Sequence, residues 1–258
     1  EFDPRSPEIV ERLQSTLALL SNDHDVAELF GLRPGQEVFV IATGPSLELH
    51  FETLRGIRNQ AERPLFICVD TAFRPLLKNG IRADVVVSID QRISARHLPP
   101  ENTADITLVY MPMLDPLVLE TWQGPRYGAY SASPIYQSMR SQLPRGELYV
   151  GGSVIHPAAD LAVKMGAAQI TLFGADFAFP GDKTHAGWSD GDLGPQLDAA
   201  KHWVLDGHGQ RIKTQLNFRS YLCELERFIA GHPQVRFYNS SRAGAMIAGT
   251  DFHPEIAS

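Results

Sequence analysis

The chain has 258 residues, 43% of them hydrophobic and 21% charged, with a formal net charge of −7. That is enough ordinary globular chain to bury its own core, which excludes a disordered, collagen-like or coiled-coil protein. Lys and Arg never gather into a run, which argues against a nucleic-acid groove or an anionic membrane surface, and no apolar stretch approaches the roughly 20 residues of a membrane span.

In chain order, Pro7–Phe30 reads as one or two leading helices. Apolar runs rich in β-branched and aromatic residues follow at Val38–Ala42, Leu65–Val69, Val85–Ile89, Ile106–Tyr110, Glu147–Val150, Ile170–Phe173 and Val235–Tyr238. Most do not alternate with polar residues, which suits strands covered on both faces, as in a parallel sheet. Helical patterns fill the gaps. Leu47–Gln60 carries Leu47, Phe51, Leu54 and Ile57 at helical spacing, and Thr71–Asn79 stops at Asn79-Gly80. Ser153–Met165 has Ser153 as N-cap and Gly166 as its stop, and Thr214–Ala230 opens on a capping threonine and ends at Gly231. Strand and helix in alternation predict an α/β fold, a doubly wound, mostly parallel sheet with helices on both faces. The glycine- and aspartate-rich interval Pro180–Gly194 reads as a long functional loop. Cys68 and Cys223 form no CxxC pair and read as reduced core residues, which fits a cytoplasmic protein without a signal peptide. Glu1 in place of a methionine reads as the start of an excised piece, with further domains expected outside it.

Open parallel sheets bind ligands at the carboxyl ends of their strands. The residues expected there are Thr43-Gly44-Pro45-Ser46, Asp70-Thr71, Asp90-Gln91, Gly151-Gly152-Ser153, Gly174-Ala175-Asp176 and Asn239-Ser240-Ser241. Any one of these turns alone reads as structural punctuation. Two Gly-Ser helix starts and three strand-end aspartates on one edge together point to a ligand site that holds phosphate locally, with helix N-termini and backbone amides. His185, in the glycine–aspartate loop after Asp176, suits a general acid, base or phosphate contact, whereas His202 and His208 read as structural or surface residues. Standard signatures fail. There is no GxxxxGK[ST] and no GxGxxG, Gly151-Gly152-Ser153-Val154-Ile155 lacks the last glycine of a nucleophile elbow, and the histidine spacings match no zinc motif.

Taken in order, the motifs resemble a known superfamily. They are Ala42-Thr43-Gly44-Pro45-Ser46-Leu47, Asp84–Asp90, Gly151-Gly152-Ser153-Val154, Gly174-Ala175-Asp176-Phe177-Ala178-Phe179, Lys183-Thr184-His185-Ala186, Asn239-Ser240-Ser241 and Gly244–Thr250. Their sequence from about Val38 to Thr250 is similar to the central domain of the bacterial motility-accessory-factor proteins, the flagellin glycosyltransferases, and to the archaeal 6-hydroxymethylpterin diphosphokinases. A more distant likeness is to the sialyltransferases of glycosyltransferase family 42.

The resemblance implies a Rossmann-like fold, with residues 1–34 as a helical lead-in and 35–258 as one nucleotide-binding catalytic domain. It places Gly44, Pro45, Ser46, Gly152 and Ser153 on the nucleotide phosphates and ribose. Asp70 stands where the sialyltransferases use an asparagine. Their catalytic histidine before the last long helix has no counterpart in Arg211–Gln215, which leaves Asp176 or His185 as the base. The leading expectation is a glycosyltransferase that takes a sugar from a nucleotide-activated donor, of the CMP-nonulosonic-acid kind, to a protein or glycan hydroxyl. Thr43–Ser46, Asp70, Asp90, Gly151–Ser153, Asn239 and Ser240 would then line the donor site. The alternative is a Mg²⁺-dependent transfer of diphosphate from ATP to a hydroxymethylpterin, with Asp70, Asp90 and Asp176 as metal ligands. A third reading is a nucleotide-binding module without catalysis.

Overall fold

The apolar runs become strands because both of their faces are buried. In Glu37–Ile41, Leu65–Val69, Val85–Ser88 and Gln169–Phe173 almost every residue is out of solvent, so the sheet they form must be covered on both sides. The computed structural model describes Asp3 and residues 5–258.

Its helices and strands in chain order are α1 (Pro7–Asn22), β1 (His24–Asp25), β2 (Glu37–Ile41), α2 (Phe51–Arg58), β3 (Leu65–Val69), α3 (Asp70–Lys78), β4 (Val85–Ser88) and β5 (Thr107–Tyr110). Next come α4 (Pro116–Thr121), β6 (Arg126–Gly128), α5 (Gln137–Gln142), α6 (Ile155–Lys164), β7 (Gln169–Phe173), β8 (His202–Leu205), β9 (Arg211–Thr214), α7 (Leu216–Ala230), β10 (Arg236–Asn239) and β11 (Thr250–Phe252). Nine strands form one sheet in the order β1-β6-β5-β4-β3-β2-β7-β10-β11, with helices around it. All of its ladders are parallel. Strand order reverses between β2 and β7, and that reversal fixes where a crevice opens at the carboxyl edge.

The expected strands and helices stand, with informative exceptions. Glu147–Val150 makes one parallel bridge, Glu147 to Tyr130, and no strand. The amide of Tyr149 donates to the Asp160 carboxylate at 2.8 Å, which turns the chain toward α6 before a ladder can grow. Thr214 does not cap α7. It ends β9, and its hydroxyl donates to the Phe177 carbonyl at 2.6 Å. Ser153 is not the cap of α6 either, because Val154 holds that position without a side-chain cap. The expected helix Leu47–Gln60 divides into a 3₁₀ turn over Pro45–His50 and then α2. Cys68 is buried in β3, but Cys223 is exposed on α7, whose inward positions are Leu222, Leu225, Phe228 and Ile229.

Segment 1–34 is not helical throughout. Beyond α1 it supplies the edge strand β1, and Leu20 and Val26 join the same core as the sheet. Glu1, Phe2 and Pro4 lie outside the described residues. The strands missing from the sequence reading are the short ones. The β8–β9 hairpin is signalled by its turn, where the Asp206 carboxylate accepts from the amides of His208 and Gln210, both at 2.9 Å.

Candidate active site

At the reversal the turn after β2 is locked to the end of β7, the neighbouring strand across it. The amide of Gly44 donates to the carbonyl of Gly174 at 2.7 Å, and a Cβ at Gly44 would lie 2.3 Å from that oxygen, so only glycine allows the approach. The Ser46 amide and hydroxyl donate to the two oxygens of Asp176 at 2.7 and 2.6 Å. Gly244 closes the other side, since a Cβ there would meet the same carboxylate at 2.3 Å. Burial raises the Asp176 carboxyl to about 6, against the pull of Ser46's two hydrogen bonds. Ser46 therefore faces Asp176, not a ligand as its place in the turn suggested.

Beside this seam lies a cleft of about 800 Å³. Thr43, Gly44, Asp70, Asp90, Gly152, Ser153, Asp176 and His185 all line it. The N-terminus of α6 reaches it at Gly152–Ile155 and has no side-chain cap, so its partial positive charge is free for an anion. The loop that delivers it is held by His156, whose Nδ1 accepts from the Ser153 amide at 3.2 Å while Nε2 lies 3.0 Å from the Tyr221 carbonyl. Burial lowers the His156 pKa, which keeps this pairing in the neutral ring. Gly152 has φ +104°, and the Tyr221 ring occupies the place a Cβ would take.

Charges in the cleft are largely matched in pairs. Arg92 donates to Asp90 at 2.7 Å and Arg96 lies 3.4 Å from Asp192. Burial would raise the Asp90 carboxyl, but the Arg92 hydrogen bonds hold it below its ordinary range. Asp70 accepts from the Ser88 hydroxyl at 2.9 Å and the Thr71 amide at 2.7 Å, and its burial pushes it up to about 7.

His185 is different. Among the described residues its Nδ1 is buried without any partner, and burial alone lowers its pKa to about 4, so the ring is neutral with an unengaged nitrogen. Its loop is anchored by a consequence of proline chemistry. Pro75 sits inside α3 and has no N–H for the carbonyl of Thr71, one turn earlier. The Trp188 indole N–H takes that carbonyl at 2.8 Å. Gly187 permits the contact, because a Cβ there would strike Pro75 at 2.8 Å.

Pro45, Ser46, Gly151, Asn239 and Ser240 do not line the cleft. Asn239 and Ser240 are buried at the end of β10, beyond β7, where Asn239 accepts from the Ser241 amide at 3.2 Å and the Ser240 amide donates to Leu172 at 3.0 Å. The sequence reading missed Arg92, Arg96, Gln215, Asn217, Phe218 and Tyr221, which come from the loop after β4 and the start of α7. The strand end before Arg92 was a visible signal; the return of α7 to the cleft was not. Asp70, Asp90 and Asp176 do not converge as ligands. Each already accepts from protein donors, and among the described residues no group of three or more His, Cys, Asp or Glu is placed to hold a metal ion. The three carboxylates do not fit a shared magnesium site.

A parallel sheet with an order reversal and a cleft at its carboxyl edge defines a Rossmann-like α/β protein. Residues 12–182 match the model of the 6-hydroxymethylpterin diphosphokinase MptE-like family, and the chain belongs to that family. Among solved structures it is similar to the MAf glycosyltransferase from Magnetospirillum magneticum AMB-1, with a TM-score of 0.65 and 19% identity. That match covers 94% of this chain and 38% of the other, so the chain spans well under half of that protein's length; at this identity the likeness is one of fold. No curated protein matches.

Proposed function

We propose that the chain is a transferase that moves a sugar from a nucleotide-activated donor, of the CMP-nonulosonic-acid kind, to a hydroxyl of a protein or glycan. The observation that carries this reading is His185, a neutral, buried base whose Nδ1 has no protein partner and which lines the cleft at the carboxyl edge of the sheet. A buried polar atom without a partner is unfavourable unless a ligand supplies one. The acceptor hydroxyl is that ligand. Its oxygen attacks the anomeric carbon, the bond from that carbon to the donor phosphate breaks, the nucleotide leaves with the electron pair, and Nδ1 of His185 takes the proton.

The departing phosphate sits at the uncapped N-terminus of α6, beside Gly152 and Ser153, where the helix dipole stabilises the developing charge. Thr43 and Gly44 form the facing wall, and Asp70, close to its own pKa near neutrality, reads a sugar hydroxyl or the base. Asp176 holds the Gly44–Ser46 turn in place rather than reacting. The charge balance favours a donor with one phosphate, because both arginines of the cleft are already paired with carboxylates.

A second reading, transfer of diphosphate from ATP to a hydroxymethylpterin, draws on the name of the matched family. It needs more positive charge than the cleft has free. Thermal shifts with CMP, CDP, UDP, GDP and ATP, each with and without Mg²⁺, separate the two. A ligand at 100 times its dissociation constant stabilises by about 2.7 kcal/mol. A metal-indifferent response to CMP is the expected outcome. A response to ATP with Mg²⁺ alone would overturn the sugar-transfer reading in favour of the diphosphokinase, and binding of CMP-sugars without turnover of any would leave a non-catalytic module.

A further inference from the structure

Next to the cleft lies a second basin of about 760 Å³. Thr184, Arg96 and Asp192 line both spaces, so the two meet along the loop that carries His185. The basin is built by the Trp188 anchor. With its N–H on Thr71, the indole holds two guanidinium groups over its ring, Arg74 at 5.5 Å and Arg96 at 5.2 Å. Lys78, one helical turn beyond Arg74 on α3, completes the rim. Like charges one turn apart on a helix repel.

The acids around this rim each have a protein partner. Asp192 accepts from the Ser189 amide at 3.0 Å and pairs with Arg96, and Asp190 accepts from the Leu197 amide at 3.0 Å. Asp182 lies 3.9 Å from Lys213, and Lys183 is 2.6 Å from Glu48. Among the described residues neither Arg74 nor Lys78 has an acidic partner. Thr184, 3% exposed, adds a buried hydroxyl with no hydrogen-bond partner among the described residues.

We infer that this basin seats an anionic group, carboxylate or phosphate, on the acceptor. Held there by Arg74 and Lys78, the acceptor would extend past Thr184 and offer its hydroxyl to His185, the next residue in the chain. The inference rests on the transferase reading for the word acceptor, but anion binding in the basin is testable without it.

The experiment is calorimetric titration of the full chain with glucose 6-phosphate, glucuronate and glucose, each repeated in the presence of saturating CMP. Glucose 6-phosphate or glucuronate should bind saturably where glucose does not, and whichever binds more tightly identifies phosphate or carboxylate as the natural group. Binding should weaken at least tenfold in Arg74→Gln/Lys78→Gln and about threefold in Lys78→Gln, a surface change that leaves the fold intact. Equal or absent binding of all three sugars, displacement by CMP, or unchanged affinity in both variants would overturn the assignment. Failure of the nucleotide reading appears separately, as loss of the CMP response with anion binding intact.

Discussion

The two flanks of the strand-order reversal treat polar groups in opposite ways. On the seam between β2 and β7, Gly44, Ser46 and Gly244 close around Asp176, both of whose oxygens are engaged by Ser46. On the cleft side, among the described residues, the α6 N-terminus has no side-chain cap and His185 Nδ1 has no hydrogen-bond partner. A glycine-rich strand end is therefore not one kind of object. Gly44 serves close backbone approach within the protein, whereas Gly152 opens a helix end toward a space large enough for a ligand. Motif residues can be read as structural or chemical only once their hydrogen bonds have been followed to the end.

Substitutions test this contrast directly. The largest effect belongs to His185→Gln, which should lower turnover of a CMP-sugar donor by roughly 10²–10⁴-fold, the usual contribution of a general base, with little change in melting temperature. Wild-type rates there would remove His185 from the chemistry. Asp176→Ala should do the reverse and act on the fold, costing about 1–3 kcal/mol in urea denaturation for each Ser46 donor left buried and unpaired. Gly44→Ala forces a Cβ against the Gly174 carbonyl and should cost about 1–3 kcal/mol by the same measurement. Trp188→Phe keeps the ring and removes the N–H from Thr71, a loss of about 1 kcal/mol, visible as faster amide exchange across residues 180–196.

A smaller effect, with a definite sign, comes from pH. Asp70 has its carboxyl raised by burial to about 7, so the stability tied to its protonated form is complete below the unfolded value of 3.8 and is lost as pH rises through 7. His185 behaves oppositely: lowered by burial to about 4, it contributes stability present above 6.5 that is lost as pH falls through 4. On going from pH 8 to pH 6, the melting temperature of the wild type should therefore rise relative to Asp70→Asn. A difference that stays flat, or falls, would mean that Asp70 remains ionised in the fold.

Much of the architecture was legible in the chain because burial on both faces leaves a local mark. Continuous apolar runs such as Leu65–Val69 and Val85–Ile89 fit no other setting so well as a central parallel strand, and Asn79-Gly80 ends its helix by backbone chemistry, with Gly80 at φ +71°. The order of the strand-end motifs likewise pointed to the carboxyl edge and to the family. Short strands such as β1 and β6 left no such mark, since so few residues carry no periodicity and their pairing is decided by distant neighbours.

Within the site, local sequence determined which residue types stand at the strand ends, and tertiary contacts decided what each does. Ser46 and Ser153 look alike in the chain, yet the hydroxyl of Ser46 is tied to Asp176, a residue 130 positions away, while Ser153 lines the cleft. Asn239 and Ser240 end a strand as Asp70 does, but β10 lies beyond β7, away from the cleft. The free carbonyl that Pro75 creates at Thr71 is written in the sequence. That Trp188 fills it, anchoring the loop of His185 and setting Arg74 and Arg96 at the basin, follows only from the fold, because a hydrogen-bond vacancy says that a donor is needed and not which donor comes.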